Sequence, residues 1–150
     1  YIYSSIDTAL FKEENIMSFP FQSDALGKLT LRLTVGILML FHGVHKIFNP
    51  SALDFIRKQL ASIDLPQVLA YGVYLGEVIA PLMVIIGIFA RFGGLLIFGN
   101  MIFAIALAHR SQLFTLTNTG GWTLELQIFF LLTGLAVFFL GSGRIAAKPD

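Results

Sequence analysis

The chain has no cysteine. Disulfides, thiolate nucleophiles, CxxC relays and cysteine-ligated zinc or iron–sulfur clusters are therefore excluded, and any redox chemistry needs an organic cofactor, a quinone, or a metal held by His and Glu. Charge is scarce as well. Only 13% of the 150 residues are Asp, Glu, Lys or Arg, against ~25% in a soluble domain. A net charge of +1 supplies no basic field for nucleic acid. Catalytic signatures are missing: no HExxH, no ExxH pair of the di-iron type, no glycine-rich nucleotide loop and no serine nucleophile elbow. The opening residues YIYSSIDTALFKEENI have neither a basic start nor an apolar h-region, so no cleavable signal peptide is expected there. Met17 is an alternative natural start. Residues 1–16 would then be an extension, residues 1–28 a lead-in, and residues 29–148 the membrane domain.

What the chain has instead is apolar length. Its composition is 56% hydrophobic with a mean hydropathy of +0.80. Four stretches, Leu29–Phe48, Val68–Phe89, Phe92–Ala108 and Trp122–Leu140, each approach the ~20 residues that a helix rising ~1.5 Å per residue needs to cross ~30 Å of hydrocarbon. A soluble protein of this length would have too little polar surface to cover them. The expected fold is all-α, an integral membrane bundle of four transmembrane helices in one domain.

The connections refine that expectation. Ser51 followed by Asp54 reads as a capping box, and Leu53, Ile56, Leu60 and Ile63 recur at helical spacing. This predicts a short amphipathic helix over Ser51–Ile63, lying on the membrane surface between spans one and two. Pro66 helps define the start of the second span. Ala90 and Arg91 read as a tight turn between spans two and three, and SQLFTLTNTGG as a loop ending at the interfacial anchor Trp122. Four spans put both termini on one side. Lys12, Lys28, Arg32, Arg91, Arg144 and Lys148 belong to that side, against Lys46, Arg57, Lys58 and Arg110 on the other. The excess predicts cytoplasmic termini for a multi-pass protein of the cell (inner) membrane.

Ionisable residues inside or at the ends of the spans mark a candidate site, because such groups are expensive in a bilayer and face a bundle interior, a partner or a water-filled cavity. His42, His45 and Lys46, spaced three and four residues from the first, are expected to share one helical face at the end of span one. A neutral histidine pair suits proton relay, hydrogen bonding to a quinone carbonyl or metal binding; a helix tie to Glu77 or Glu125 is the structural alternative. Glu77 lies inside span two, in GEVIAP. Pro81 has no N–H for the carbonyl of Glu77, so a kink is expected beside the carboxylate. Gly72, Gly76 and Ala80 form a small-residue stripe there, suited to close helix contact. In GGWTLELQ, Trp122, Glu125 and Gln127 place an indole, a carboxylate and an amide at the start of span four, although a carboxylate there is also favoured by the helix dipole. His109 and Arg110 read as interfacial anchors, and Asn100 as an interhelical hydrogen-bonding residue. A faint internal duplication pairs Arg32, His42 and Glu77 with Arg91, His109 and Glu125. Its spacings do not match, but its geometry brings the ends of spans one and three and the starts of two and four to one outer face.

The segments LRLTVGILMLFHGVHKIF, LAYGVYLGEVIAPLMVIIGIFARFGG and GGWTLELQIFFLLTGLAVFFLGSGR, covering about Leu29 to Lys148, resemble the DoxX family of small four-span membrane proteins. The likeness rests on the Arg that opens span one, HGxxK at its end, the Gly-Glu core of span two, the GGW-x-x-E start and the Gly-x-Gly-Arg end. His45 stands where the family has a variable polar residue. The resemblance implies association with terminal oxidases, thiosulfate:quinone oxidoreduction, or quinone, catechol and oxidative-stress detoxification. It carries no agreed catalytic set.

Two functions follow as expectations. In the first, the chain is the membrane subunit of a quinone-linked redox or oxidative-stress system. His42, His45, Glu77 and Glu125 would then handle protons or ligand, and Lys46, Trp122 and Gln127 would help bind a quinone; no covalent cofactor and no metal are expected. Whether such a subunit is itself an enzyme is not set by these residues. In the second, it is a non-catalytic accessory or assembly subunit of a larger respiratory-chain complex, and the polar cluster is helix glue. Lipid, other membrane subunits or further copies of the chain are the expected partners.

Overall fold

The fold is that of a computed structural model in which residues 23–150 are described. The lead-in up to residue 22, including Lys12 and the alternative start Met17, lies outside the described residues. Among the described residues five helices follow one another: α1 (Asp24–Phe48), α2 (Pro50–Ala61), α3 (Gln67–Ile86), α4 (Ala90–Ala108) and α5 (Glu125–Leu140), with a short 3₁₀ turn, Arg110–Gln112, after α4. Among the described residues there is no strand beyond two isolated bridges, Ile88 with Lys148 and Leu116 with Trp122.

α1, α3 and α4 have 25, 20 and 19 residues and are long and apolar enough to cross a membrane, whereas α5 has 16. At ~1.5 Å per residue α5 covers about 24 Å. It begins at Glu125 and not at Trp122, because Gly120 takes a left-handed conformation and residues 115–123 close into a small hydrogen-bonded turn. Apolar side chains such as Phe41, Ile86, Phe129 and Phe139 stand on the outside of the bundle, as a lipid-facing surface requires.

The core runs along the axis through Val35, Met39, Ala80, Val84, Ile97, Met101, Phe130 and Val137. Close approach sets the helix spacing. A Cβ on Gly43 of α1 would run into the backbone of Glu77, and one on Gly94 of α4 into the backbone of α5 at Gly134 and Phe138. Van der Waals contact between such bare backbones drives helix association where lipid gives no hydrophobic push. Within the expected small-residue stripe, Gly76 and Ala80 are buried but Gly72 meets nothing.

The helix between α1 and α3 starts differently from its sequence expectation. Asn49 is its N-cap and Pro50 its first residue, with no side-chain cap hydrogen bond, so Ser51 and Asp54 form no capping box. Pro50 needs no N–H at that position and is preorganised for it. The helix ends at Ala61, leaving Ile63 exposed, while Leu53 and Leu60 pack on Ala70, Val73 and Leu107. The turn from α3 to α4 is Gly87–Phe89, with Gly87 and Phe89 both at positive φ; Ala90 and Arg91 are already helical.

One end of the bundle is closed by arginine. Arg32, 1% exposed, donates from Nε to Val84 O (2.8 Å), from Nη2 to Ile85 O (3.0 Å), and from Nη1 to Ser142 O (2.5 Å) and Ile145 O (2.8 Å). Arg91 donates to Phe138 O and Phe139 O. The backbone N–H groups of Ala147 and Lys148 reach Ile86 O and Gly87 O. The carbonyls that a helix end leaves orphaned are thus met in both α3 and α5. The Asp150 carboxylate accepts from the N–H groups of Arg91 and Ser142. Burial works against its charge, but those N–H groups, the Ser142 hydroxyl and the Arg91 cation outweigh it and hold the carboxyl below its ordinary range.

Candidate functional site

At the opposite end the helices splay around a cavity of about 340 Å³. Its polar lining consists of His42 and Lys46 from α1, Glu77 from α3, Asn100 from α4, His109 just past α4, and Gln127 from α5. The rest is apolar, with Met39, Phe55, Val73, Met101, Leu107 and Phe130 among the walls.

The backbone places these groups for local reasons. His42 and Lys46 are four residues apart, so successive turns of α1 present both to α3 and α5. Residues Leu75–Ile79 of α3 form a π-helical turn in which the N–H of Ala80 reaches Leu75 O. Such a turn inserts an extra residue and recurs at functional sites. Here it stands beside Pro81, which lacks the N–H to continue the ladder from Glu77. The expected backbone irregularity is therefore a π turn centred on Glu77, and Gly43 lets α1 lie directly against it.

Glu77 is buried and its Oε2 accepts from Lys46 Nζ at 2.5 Å. Asn100 Nδ2 stands 3.5 Å from the other carboxylate oxygen. Tyr74 donates to Lys46 O at 3.3 Å, fixing the last turn of α1. The His42 ring meets Phe130 edge-on, centroids 5.6 Å apart. His109 Nδ1 lies 2.9 Å from Gln112 Oε1, and its Nε2 lies 3.4 Å from Gln127 Nε2. Among the described residues no three His, Asp or Glu side chains converge into a metal-binding set.

Four of the seven residues singled out from the sequence, His42, Lys46, Glu77 and Gln127, line this cavity. His45, Glu125 and Trp122 do not. At ~100° per residue His45 turns about 60° away from His42 on the side opposite Lys46. It is exposed, and Asn49 Nδ2 bonds its carbonyl at 2.8 Å and its Nδ1 at 3.2 Å. Glu125 Oε1 accepts from the N–H of Trp122 at 2.8 Å, a local cap on α5. Trp122 Nε1 donates to Leu113 O at 2.9 Å and pins the preceding loop. Asn100 and His109 join the cavity where helix tie and interfacial anchor were expected. The signal for both lay in the suspected duplication and in Asn100 being polar at mid-span.

Comparison with known proteins gives one family. The family model described as DoxX matches residues 27–110, from early α1 through the end of α4. The likeness expected to continue to Lys148 is not part of that match, so α5 and Gln127 lie beyond it. No curated protein and no solved structure matches the chain.

Proposed function

The chain belongs to the DoxX family and is a multi-pass membrane protein, and from that premise we propose that it is the membrane subunit of a quinone-linked redox or oxidative-stress system. One observation carries the reading: an apolar cavity into which His42, Lys46, Glu77 and Gln127 converge. A quinone needs an apolar slot for its ring, hydrogen-bond donors at its oxygens, and two protons when two electrons reduce it to the hydroquinone. Lys46 and His42 are the donors nearest the slot, and Glu77, ion-paired to Lys46, holds the ammonium in place. The two electrons for that reduction come, in this reading, from a partner redox subunit or a second substrate.

The same reading places α5 as a fourth span, completed by Trp122–Leu124, and α2 on the membrane surface with Arg57 and Lys58 toward water. Both termini then share a side, taken as the cytoplasm of the cell (inner) membrane. Arg32 and Arg91 are committed to helix ends, so Lys28, Arg144 and Lys148 carry that orientation among the described residues.

The test is gentle purification in native lipid followed by mass spectrometry of copurified small molecules and proteins. A stoichiometric quinone that is lost on His42→Gln or Glu77→Gln, with folded yield retained, supports the reading. A stable protein partner, an empty cavity and tolerance of His42→Gln would replace it with the accessory-subunit role.

A further inference from the structure

The cavity has a neighbour at the end of α4. A second depression of about 410 Å³ lies beside it, lined by Gln59 of α2 and by Leu107, Ala108, Arg110 and Ser111. Leu107 and Ala108 are walls of both. Helical spacing joins the two on the other side as well. Ala52 and Ile56 line the cavity and Gln59 lines the depression; at intervals of four and three residues, all three run along one side of α2. One groove therefore runs for roughly 10 Å between α2 and the end of α4. It is apolar at Ala52 and Ala104 and polar at Gln59, Arg110 and Ser111.

The polar end carries positive charge. Arg110 is exposed, and among the described residues no carboxylate stands within ion-pair distance of it. It lies just past α4, whose 19 residues are long and apolar enough to span, so it sits where hydrocarbon gives way to headgroups. A guanidinium fork matches phosphate oxygens, and the Gln59 amide and Ser111 hydroxyl supply further donors. At the apolar end Phe55 and Phe103 line the cavity and remain exposed. That end is therefore open to the acyl chains of the bilayer.

We infer that this groove binds an anionic phospholipid, with its phosphate at Arg110, Gln59 and Ser111 and one acyl chain laid past Ala108 and Ile56 into the mouth of the cavity. A zwitterionic headgroup carries an ammonium as well. Beside Arg110 that ammonium meets a like charge and no carboxylate among the described residues, which disfavours it. A lipid with a phosphate and no amine, of the phosphatidylglycerol class, is therefore selected. Lys46 and Glu77 neutralise each other and take no part, so the inference stands whatever they bind.

The test is native mass spectrometry of the full chain, stripped of lipid in detergent and offered phosphatidylglycerol and phosphatidylcholine with the same acyl chains in equal amounts. The first lipid adduct is expected to be phosphatidylglycerol by at least ~5-fold, a ratio that one charge-assisted contact at a partly wet site supports. That preference should fall toward unity in Arg110→Gln. It should persist in Lys58→Gln, on α2 but lining neither hollow, and in Arg144→Gln at the other end of the bundle. Ala108→Phe, which fills the groove, should cut the adducts of both lipids. Glycerophosphoglycerol, the headgroup without chains, should not displace the bound lipid at equal concentration. No preference, or one unchanged in Arg110→Gln, overturns the inference. An equal loss in Lys58→Gln marks a diffuse basic surface and overturns it too. Displacement by the bare headgroup, or undiminished binding to Ala108→Phe, overturns the placing of the chain.

Discussion

The two ends of the bundle use polar side chains in opposite ways. At the Arg32 end, charged side chains meet backbone: Arg32 and Arg91 donate to carbonyls of α3, α5 and the C-terminal tail. At the Lys46 end, side chains meet other side chains around a void, and Gln127 Oε1 is left over. Depth in the membrane therefore does not by itself mark a functional residue. A buried ion whose hydrogen bonds are all absorbed by helix ends is a fastener, and one that borders a cavity with unspent capacity is a candidate for binding.

Six substitutions, two of them serving as rescue and control, would break or sharpen this contrast. The largest effect is expected from Arg32→Leu, which strands four carbonyls. Two of those bonds are fully buried, and at ~1–3 kcal/mol for each buried acceptor left unsatisfied a loss of at least ~2 kcal/mol should lower folded yield sharply in detergent extracts. Yield near that of the native chain would mean the clamp is dispensable. Glu77→Leu should cost less, at most about 2 kcal/mol, because Lys46 retains some exposure and snorkels outward. The double variant Lys46→Met with Glu77→Leu should recover most of that stability in thermal unfolding while losing ligand binding. No recovery would move this end into the fastener class too.

Gly43→Ala places a methyl against the Glu77 backbone and should cost about 1–2 kcal/mol by forcing α1 away from α3. Gly72→Ala, in open space, is its control, and equal melting temperatures for the two would refute the close-contact account. The smallest effect concerns Asp150. Its folded carboxyl is more acidic than the unfolded one, so its tie is fully present above roughly pH 5 and is lost as pH falls through the lowered folded value. Thermal midpoints of the native chain and Asp150→Asn should differ at neutral pH and converge in acid; a constant gap across that range would sink the assignment.

Much of the fold could be read directly. Apolar runs located α1, α3 and α4 within a few residues, and helical spacing predicted a helix between the first two. Boundaries were harder where proline and glycine acted differently from their usual readings. Pro50 started α2 where Ser51 had been expected to, and the left-handed Gly87 and Phe89 made the turn assigned to Ala90 and Arg91. That His42, Lys46, Glu77 and Gln127 would gather at one end was legible because ionisable or amide groups are rare in apolar helices, and all four line the cavity. His45 lies off the cavity because, on a helix, the residues three and four positions after His42 fall to opposite sides of it. His109 needed the fold, since only packing shows whether a residue at a helix end faces solvent or a cavity.

The sequence by itself determined that this is a helical membrane protein with polar residues gathered at helix ends, because hydropathy and helical period are local properties that one chain segment carries alone. Tertiary structure decided which of those residues are fasteners and which border the cavity. Arg32 and Lys46 are both basic residues on the same helix. The partners that separate their roles, carbonyls 52 to 113 residues away for one and a carboxylate 31 residues away for the other, meet them only when the helices pack.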